Sequence, residues 1–376
     1  MSTSDGTNFC PLPFAHTTIG TKGTYQICCD HLTPPEHSLN IKDVSFDQWK
    51  NSSYVAEIKN SFKQNQQHTG CASCWRNELS TQTSYRKRIL KEYAFFKINT
   101  DSDQIVNIEI QLGNLCNLSC LMCDETQSSA ILAENKRLGI NVHNQKDFSW
   151  ANSAFENLFQ MLLDLKPQTI NIRGGEPLYN KQLLNLIEKL PEENCSNTLL
   201  HITTNATIWN DRWADAIKKF KTVRFMFSID AIDSLYEYIR FPASWNTVKN
   251  NINKIIKINN VNPLVHSVVQ NLNVGSLGPL IQWCQEQNLW LNFDQVNGHQ
   301  YLAIDNLPDN CKQQAKEHLE YCLALPGLAV YLREFLINCQ KQLESKLDQT
   351  LWEECITYLS LRDQIRNNSH KNFLKY

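Results

Sequence analysis

Three closely spaced cysteines form the group in this sequence with the clearest capacity for chemistry. Cys116, Cys120 and Cys123 lie within eight residues in the pattern C-x3-C-x2-C, directly after a strand-like run at residues 105–112. Thiolates are the protein ligands of iron–sulfur clusters, and a loop this short can place three of them around one face of a four-iron cluster. Three ligands leave one iron open to a group that the protein does not supply.

A zinc site and unligated buried thiols are the alternatives for these cysteines. Zinc sites usually close with a fourth Cys or His nearby, often as paired C-x2-C units, and no histidine directly follows this loop. The C-x3-C-x2-C spacing resembles that of the radical S-adenosylmethionine (SAM) superfamily. The resemblance implies a [4Fe-4S] cluster on the three cysteines, with SAM bound to the open iron through its amino and carboxylate groups.

A glycine-rich turn follows the next strand-like run, residues 169–173. It reads Gly174, Gly175, Glu176 and Pro177. Two glycines let the backbone approach a ligand closely, and a carboxylate suits a cationic amine. Alone, such a sequence usually marks a turn before a helix. One strand–helix unit after the cysteines, it resembles the radical SAM motif that meets the methionyl amine of the cofactor.

Further candidates for contact with SAM follow from the same resemblance. Ser228 and Asp230 end a later strand and resemble the family's contacts to the ribose and methionyl parts, which hydroxyl and carboxylate groups suit. Met122 stands where the family commonly has an aromatic residue, and its thioether can still cover the adenine. Three more residues could line the site, meet the SAM carboxylate and approach the ribose: Asn205, Arg240 and Asn273. For these three, a capping or surface role is the alternative.

The elements that must position these residues alternate between strand-like runs and amphipathic helical stretches. This order predicts an α/β protein with a parallel sheet and right-handed crossovers. In such folds chemistry collects at the carboxyl ends of the strands, where every motif above lies. The predicted strands are residues 105–112, 169–173, 197–203, 223–230, 264–269 and 290–293. Six such units give a partial (β/α)6 barrel of the radical SAM type.

A second group of cysteines lies in the amino-terminal segment. Cys10, Gly23 and Cys28 give the pattern C-x12-G-x4-C, in which Gly23 fits the turn of a β-hairpin that brings the two cysteines together. After a helical stretch at residues 46–62, Cys71 and Cys74 add a C-x2-C pair. Together the cysteines make a closed set of four thiolates.

These four cysteines resemble the SPASM and twitch extensions of radical SAM enzymes, which hold auxiliary iron–sulfur clusters. Here the extension precedes the catalytic domain instead of following it, and the later C-x5-C-x3-C half of the SPASM set is missing. The resemblance implies one auxiliary [4Fe-4S] cluster, as in a twitch domain; a zinc ribbon on the same thiolates is the alternative. Cys29 could replace Cys28, because adjacent strand residues point to opposite faces.

Composition limits the class of protein. The 376 residues are 42% hydrophobic, enough for a substantial core, and the net charge of −2 argues against a general nucleic-acid binder. The basic run at residues 85–91 is interpreted as a solvated helix face. Residues 1–6 lack the pattern of a signal peptide, and no apolar run is long enough to span a membrane. We therefore expect a cytoplasmic protein without a membrane partner.

Three segments are predicted along the chain. Residues 1–100 form the auxiliary-cluster extension, a β-hairpin followed by a helix; residues 101–300 form the partial barrel; and residues 301–376 form a helical tail. The tail cysteines lack ligand spacing, so we expect them to be packed as small hydrophobic residues. The sequence does not decide whether the tail covers the barrel or contacts a partner.

The function implied by the resemblance is that of a radical SAM oxidoreductase. An electron from a flavodoxin or ferredoxin would drive cleavage of SAM to a 5′-deoxyadenosyl radical, which abstracts hydrogen from the substrate. Four thiolates leave the auxiliary cluster no open iron, so it would accept an electron in a cross-linking or dehydrogenation reaction. A peptide or protein is the first substrate hypothesis, because SPASM and twitch enzymes often modify peptides. A sugar, aminoglycoside or nucleoside is the alternative, and a non-catalytic zinc or iron–sulfur scaffold is a third.

Overall fold

A computed structural model describes residues 8–81, 84–93, 104–140 and 152–375. Residues 1–6, on which the signal-peptide prediction rests, and the predicted boundary between residues 100 and 101 lie outside these ranges. Among the helices in the described ranges, none combines the length and the apolar character that crossing a membrane requires.

Eight strands form one predominantly parallel sheet. Its order is β2-β1-β3-β4-β5-β6-β7-β8, and in the described part of the chain β2 and β8 are its two edges, so the barrel is open. The strands are β1 (His16–Ile19), β2 (Tyr25–Gln26), β3 (Asn107–Gln111), β4 (Thr169–Arg173), β5 (Leu199–Thr204), β6 (Thr222–Ser228), β7 (Val261–Val269) and β8 (Trp290–Gln295). The predicted α/β class and the six predicted strands, seen as β3 to β8, are confirmed.

The amino-terminal hairpin belongs to this sheet. β1 and β2 pair antiparallel, with Ile19 opposite Tyr25, and Gly23 takes a φ of +82° in the turn between them. β1 also pairs in parallel with β3, with Ile19 opposite Ile110. The first predicted segment is thereby joined to the second through backbone hydrogen bonds.

Helices follow most strands, as a parallel sheet requires. In chain order they are α1 (Leu12–Ala15), α2 (Phe46–Lys50), α3 (Ser53–Lys63), α4 (Ala72–Thr81), α5 (Tyr85–Tyr93), α6 (Ser129–Arg137), α7 (Asn152–Leu165), α8 (Lys181–Lys189), α9 (Asp211–Ala216), α10 (Asp233–Ile239), α11 (Trp245–Ile255), α12 (Leu277–Glu286), α13 (Asp309–Leu323), α14 (Val330–Gln342) and α15 (Gln349–Arg366). The last three match the helical tail that the sequence predicts.

The chain divides into two compact units. The first comprises Met1–Leu115, Lys146–Ile202 and Asp215–Val223. The second comprises Cys116–Gln145, Thr203–Ala214 and Arg224–Tyr376. The first unit therefore holds the cysteines of the amino-terminal segment and the glycine-rich turn, and the second holds the C-x3-C-x2-C loop and the helical tail.

Each unit has its own apolar core, built from the expected periodicities. In the first unit, Tyr25 of β2 stacks on Trp49 of α2 with ring centroids 5.3 Å apart. In the second, Phe225 and Phe227 alternate with less buried residues along β6, as a period of two requires. Trp245 of α11 packs on Trp283 of α12 at 5.1 Å. Packing in these cores fixes the strands, and the candidate site residues lie at the ends of those strands.

Candidate functional site

The cysteine loop, residues 116–123, lies between β3 and α6 and belongs to the second unit. Cys120 is buried, and Cys116 and Cys123 are half-buried. The side-chain interaction between Cys120 and Cys123 lowers the pKa of Cys120 and raises that of Cys123. Burial and the nearby Cys116 raise the pKa of Cys123 further. The three thiols are therefore neighbours that interact electrostatically.

Backbone hydrogen bonds fix the course of this loop. The amide of Ser119 donates to Phe241 O at 2.6 Å, and the amide of Leu121 donates to Ile239 O at 2.9 Å. Ser128, the N-cap of α6, donates from its hydroxyl to Leu118 O at 2.6 Å. The loop is thus held between the end of α10 and the start of α6.

Arg240 lies beside the cysteine loop. Its Nε is 2.8 Å from Asp230 Oδ2, and its Nη1 is 3.8 Å from Cys120 Sγ. Burial lowers the pKa of Arg240, but the negative charges of Asp230 and the Cys120 thiolate outweigh burial and raise it above its usual value. A permanently charged guanidinium therefore faces one of the three predicted cluster ligands.

Asp230 and Asn273 are fully buried and hold the ends of β6 and β7 together. Asp230 Oδ1 accepts from Val268 N at 2.8 Å. Asn273 Nδ2 donates to Asp230 O at 2.8 Å and to Val268 O at 2.9 Å, and its Oδ1 accepts from Gln270 N at 2.8 Å. The side-chain amide of Asn273 therefore joins the residues that follow β6 to the end of β7.

The other predicted cofactor residues of the second unit lie near the same strand ends. Asn205 Nδ2 donates to Asn117 Oδ1 in the cysteine loop at 3.1 Å, and Asn205 Oδ1 accepts from Thr207 N at 3.0 Å. Ser228 is half-buried at the end of β6, and Met122 is half-buried within the loop. Asn205 therefore contacts the cysteine loop directly, through Asn117.

The glycine-rich turn of the first unit follows β4. Gly174 and Gly175 have φ of +87° and +57°. A Cβ on Gly175 would lie 2.3 Å from Leu115 O, and Glu176 N donates to the same oxygen at 2.8 Å. Glu176 is buried, its Oε1 accepts from Leu178 N at 2.9 Å, and Pro177 opens the short 3-10 turn that follows. Glycine at 175 is needed because the chain packs here against Leu115, the residue before Cys116.

The four amino-terminal cysteines line one cavity in the first unit. Its wall also carries the cation Arg86, and the cysteines that line it are Cys10, Cys28, Cys71 and Cys74. Cys29 is not part of the wall; its thiol bonds the guanidinium of Arg173 instead. The neighbouring thiols of Cys28 and Cys29 therefore lie in different environments. Cys28 is the one that lines the cavity together with the other three cysteines.

The donor set of this cavity fits a soft metal or an iron–sulfur cluster. Burial raises the pKa of both Cys10 and Cys71 to about 12 and that of Cys28 well above its usual value. Buried thiols gathered in this way become thiolates when a metal binds, which releases their protons. Arg86 donates to Phe9 O at 2.8 Å, lies 4.7 Å from the Trp75 ring and is paired with Glu78, with its Nε 2.8 Å from Glu78 Oε1.

Two histidines near this cavity were missed by the sequence reasoning. His31 Nδ1 lies 3.6 Å from Cys71 Sγ, and His31 Nε2 lies 3.0 Å from Tyr54 Oη. The ligand atoms of His31, His68 and Cys71 lie within 4.8 Å of one another. His68 Nδ1, however, accepts from Gly70 N at 3.1 Å. The signal available in sequence was the position of each histidine, three residues from Cys28 and from Cys71 respectively.

The central part of the chain is similar in sequence to known proteins. Residues 110–276 match the sequence profile of the Radical SAM superfamily. The uncharacterized protein MJ0907 of Methanocaldococcus jannaschii is 30% identical over 190 residues, which is 48% of this chain and 59% of that protein. A probable GTP 3′,8-cyclase of the same organism is 23% identical over 253 residues, 65% of this chain and 75% of that protein.

The solved structures that align with this chain have low sequence identity to it. Native anSMEcpe with bound AdoMet has a TM-score of 0.43 and 15% identity, with 58% of this chain and 60% of that chain covered. Streptococcus suis SuiB bound to its precursor peptide SuiA has a TM-score of 0.41 and 15% identity, with 76% and 63% covered. The chain spans 59% of the first curated relative and 60% of the first solved structure.

Proposed function

We propose that the chain holds a [4Fe-4S] cluster on Cys116, Cys120 and Cys123 and cleaves SAM, because residues 110–276 match the Radical SAM superfamily. The observation that supports this best is that the three cysteines lie in one short loop whose backbone is fixed by bonds from Ser119 N to Phe241 O and from Leu121 N to Ile239 O. Thiolates are the ligands that iron–sulfur clusters take, and three of them leave the site open for SAM.

When bound, the cluster and SAM together supply one-electron cleavage of the sulfonium, which yields methionine and a 5′-deoxyadenosyl radical. The chain's own residues bind and orient. Arg240, held by Asp230, places a positive charge 3.8 Å from Cys120 Sγ and can reach a SAM carboxylate. The protein's share is positioning and electrostatics, because the radical chemistry belongs to the cofactor.

We assign the remaining predicted contacts to SAM in the same way. The thioether of Met122 would cover the adenine, and the hydroxyl of Ser228 would bond the ribose. On the sequence resemblance alone, the turn at Gly174, Gly175, Glu176 and Pro177 would meet the methionyl amine. Asn205 acts through its bond to Asn117 in the cysteine loop. Asp230 and Asn273 are fully buried and contribute by fixing the strand ends.

We also propose that Cys10, Cys28, Cys71 and Cys74 hold an auxiliary [4Fe-4S] cluster. Support comes from their shared cavity and from the cation Arg86 in its wall, since a cluster with four thiolates carries net negative charge. With every iron ligated by protein, the residues leave no open position for substrate. Such a cluster would supply an electron acceptor at this site, which would suit a net oxidative reaction.

A peptide or protein is the substrate that we propose, with a flavodoxin or ferredoxin as the reductant. The resemblance of the amino-terminal cysteine pattern to SPASM and twitch extensions supports this choice. A second candidate is a nucleotide, because curated relatives are named as probable GTP 3′,8-cyclases. The fully ligated auxiliary set favours the peptide, since it offers a small substrate no iron to bind.

One experiment tests the core of this proposal. Protein reconstituted anaerobically with iron and sulfide is reduced with dithionite in the presence of SAM, and 5′-deoxyadenosine is quantified by chromatography. We expect formation by the parent protein and by Cys311→Ala, a buried thiol far outside the loop in sequence, and none by Cys116→Ala. Protein that binds zinc alone, or that leaves SAM intact, would contradict the proposal.

A second experiment separates the substrate classes. The reconstituted enzyme is incubated with candidate precursor peptides and, separately, with GTP, and both reactions are followed by mass spectrometry. Loss of two hydrogen atoms from a peptide supports the oxidative peptide reaction. Conversion of GTP with every peptide unchanged supports the nucleotide reaction instead.

A further inference from the structure

Helix α15, the last of the helical tail, contacts the cysteine loop through two of its side chains. Tyr358 donates from its hydroxyl to Leu121 O at 2.8 Å. About two helical turns further on, Arg366 donates from Nη2 to Ser119 O at 2.6 Å. These contacts join residues more than two hundred positions apart within the second unit.

A third side chain, that of His299, contacts another backbone carbonyl of the cysteine loop. His299, which follows β8, has its Nε2 3.2 Å from Cys123 O. Tyr301 lies with its hydroxyl 2.9 Å from His299 Nδ1, and its ring packs on Tyr358 at 5.1 Å. If the Tyr301 hydroxyl donates to Nδ1, Nε2 carries the proton and donates to Cys123 O. Three alternate carbonyls of the loop are therefore bound by side chains from the carboxyl-terminal part of the chain.

The donors on α15 are themselves held rigidly. Glu134 of α6 is fully buried and pairs with Arg362 at 2.8 Å and with Arg366 at 2.8 Å. The Arg366 guanidinium also lies 5.1 Å from the ring of Phe241. A buried carboxylate with two guanidiniums fixes both helices, because removing either partner would leave a charge uncompensated.

Fixing these carbonyls also fixes the amides that share their peptide planes. In a trans peptide the C=O of one residue and the N–H of the next point in opposite directions. With the carbonyls of Ser119 and Leu121 directed at the tail and that of Cys123 directed at His299, the amides of Cys120, Met122 and Asp124 are directed away from these side chains. Hydrogen bonds from such amides to cluster sulfurs stabilise the reduced state and raise the reduction potential.

We propose that Tyr358, Arg366 and His299 are positioning residues for the SAM cluster: they hold the cysteine loop in its cluster-binding conformation and thereby set cluster retention and reduction potential. The helical tail then contributes to the SAM-cluster site by positioning the cysteine loop. This inference rests on the proposed function, in which the loop binds the cluster.

The test is Tyr358→Phe, which removes one hydroxyl and keeps the ring. Its matched control is Tyr331→Phe, because Tyr331 makes the same kind of bond, to Leu291 O at 2.6 Å, in the same unit but outside the cysteine loop. Hydrogen–deuterium exchange of the metal-free full chain is measured for peptides that cover residues 116–124. We expect Tyr358→Phe to exchange about fivefold faster there, the factor that corresponds to losing one hydrogen bond, and Tyr331→Phe to match the parent.

The reconstituted proteins provide the second measurement. An electron paramagnetic resonance titration in the presence of SAM gives the midpoint potential of the cluster that responds to SAM. We expect a lower potential in Tyr358→Phe, and a further decrease when His299→Phe is added. Unchanged exchange and unchanged potential in both variants would overturn the inference, even if the parent cleaves SAM. If the parent bound no cluster, the proposed function would fail, while the exchange experiment would still report whether the tail holds the loop.

Discussion

His31 Nδ1 lies 3.6 Å from the sulfur of Cys71, at the wall of the four-cysteine cavity. The other ring nitrogen of His31 lies 3.0 Å from the hydroxyl of Tyr54. A Cβ on Gly70 would lie 2.3 Å from His31 Cε1, so the glycine before Cys71 makes room for the imidazole. When the Tyr54 hydroxyl donates to Nε2, Nδ1 carries the proton and donates to the sulfur. His31 is thus placed to hydrogen-bond the sulfur of Cys71, a ligand of the proposed auxiliary cluster.

Replacement of His31 tests this contact. His31→Leu removes the donor, and we expect a lower midpoint potential for the auxiliary cluster, because a hydrogen bond to a ligand sulfur stabilises the reduced state. His31→Asn, whose side-chain amide can replace Nδ1–H, should restore most of the shift. His37→Leu is the control, since His37 also packs on Tyr54, at 4.3 Å. Equal potentials in all variants would rule out the contact as a determinant.

Removal of one auxiliary ligand should change the iron content in a defined way. The parent protein should bind about eight irons per chain, from two four-iron clusters, and Cys71→Ala about half of that. Cys29→Ala should keep the full content, because the Cys29 thiol bonds Arg173 outside the cavity. Iron and zinc are measured by mass spectrometry of the metals. Zinc in place of half the iron would instead identify the cavity as a zinc site.

Gly175→Ala should destabilise the glycine-rich turn. The added methyl group would lie 2.3 Å from Leu115 O at a residue with φ of +57°. Gly139→Ala is the matched control, because Gly139 has φ of +68° and nothing within 4 Å of its Cβ position. We expect a loss of about 1 kcal/mol in the control from backbone strain alone and a clearly larger loss in Gly175→Ala, measured by thermal unfolding. Similar losses would show that the contact with Leu115 is unimportant.

Asp230 and Arg240 should behave as a coupled buried pair. Asp230→Asn leaves the buried guanidinium without its carboxylate, and we expect a loss of about 3 kcal/mol or more in the free energy of unfolding. The double variant Asp230→Asn with Arg240→Met should lose less than the sum of the single variants, measured by chemical denaturation in a double-mutant cycle. Additive losses would mean that the 2.8 Å approach contributes no coupling energy.

The sequence determined the parts of this protein that depend on local order. Three kinds of pattern depend only on neighbouring residues. They are the cysteine spacing within one short loop, the period-two alternation in strands such as β6, and helical stretches such as α15. These patterns were sufficient to predict the match of residues 110–276 to the Radical SAM superfamily, the six strands and the helical tail. They were also sufficient to predict the hairpin turn at Gly23, because a φ of +82° requires a residue without a Cβ.

Only the tertiary structure decided which distant residues meet. The parallel pairing of β1 with β3, the choice of Cys28 over Cys29 for the cavity, and the bond of His31 to Cys71 each depend on how elements dock. The bond from Tyr358 to Leu121 spans 237 positions and has no counterpart in any local pattern. Such contacts form because burial brings complementary donors and acceptors together, and it is the packing of whole elements, more than their composition, that selects the pairs.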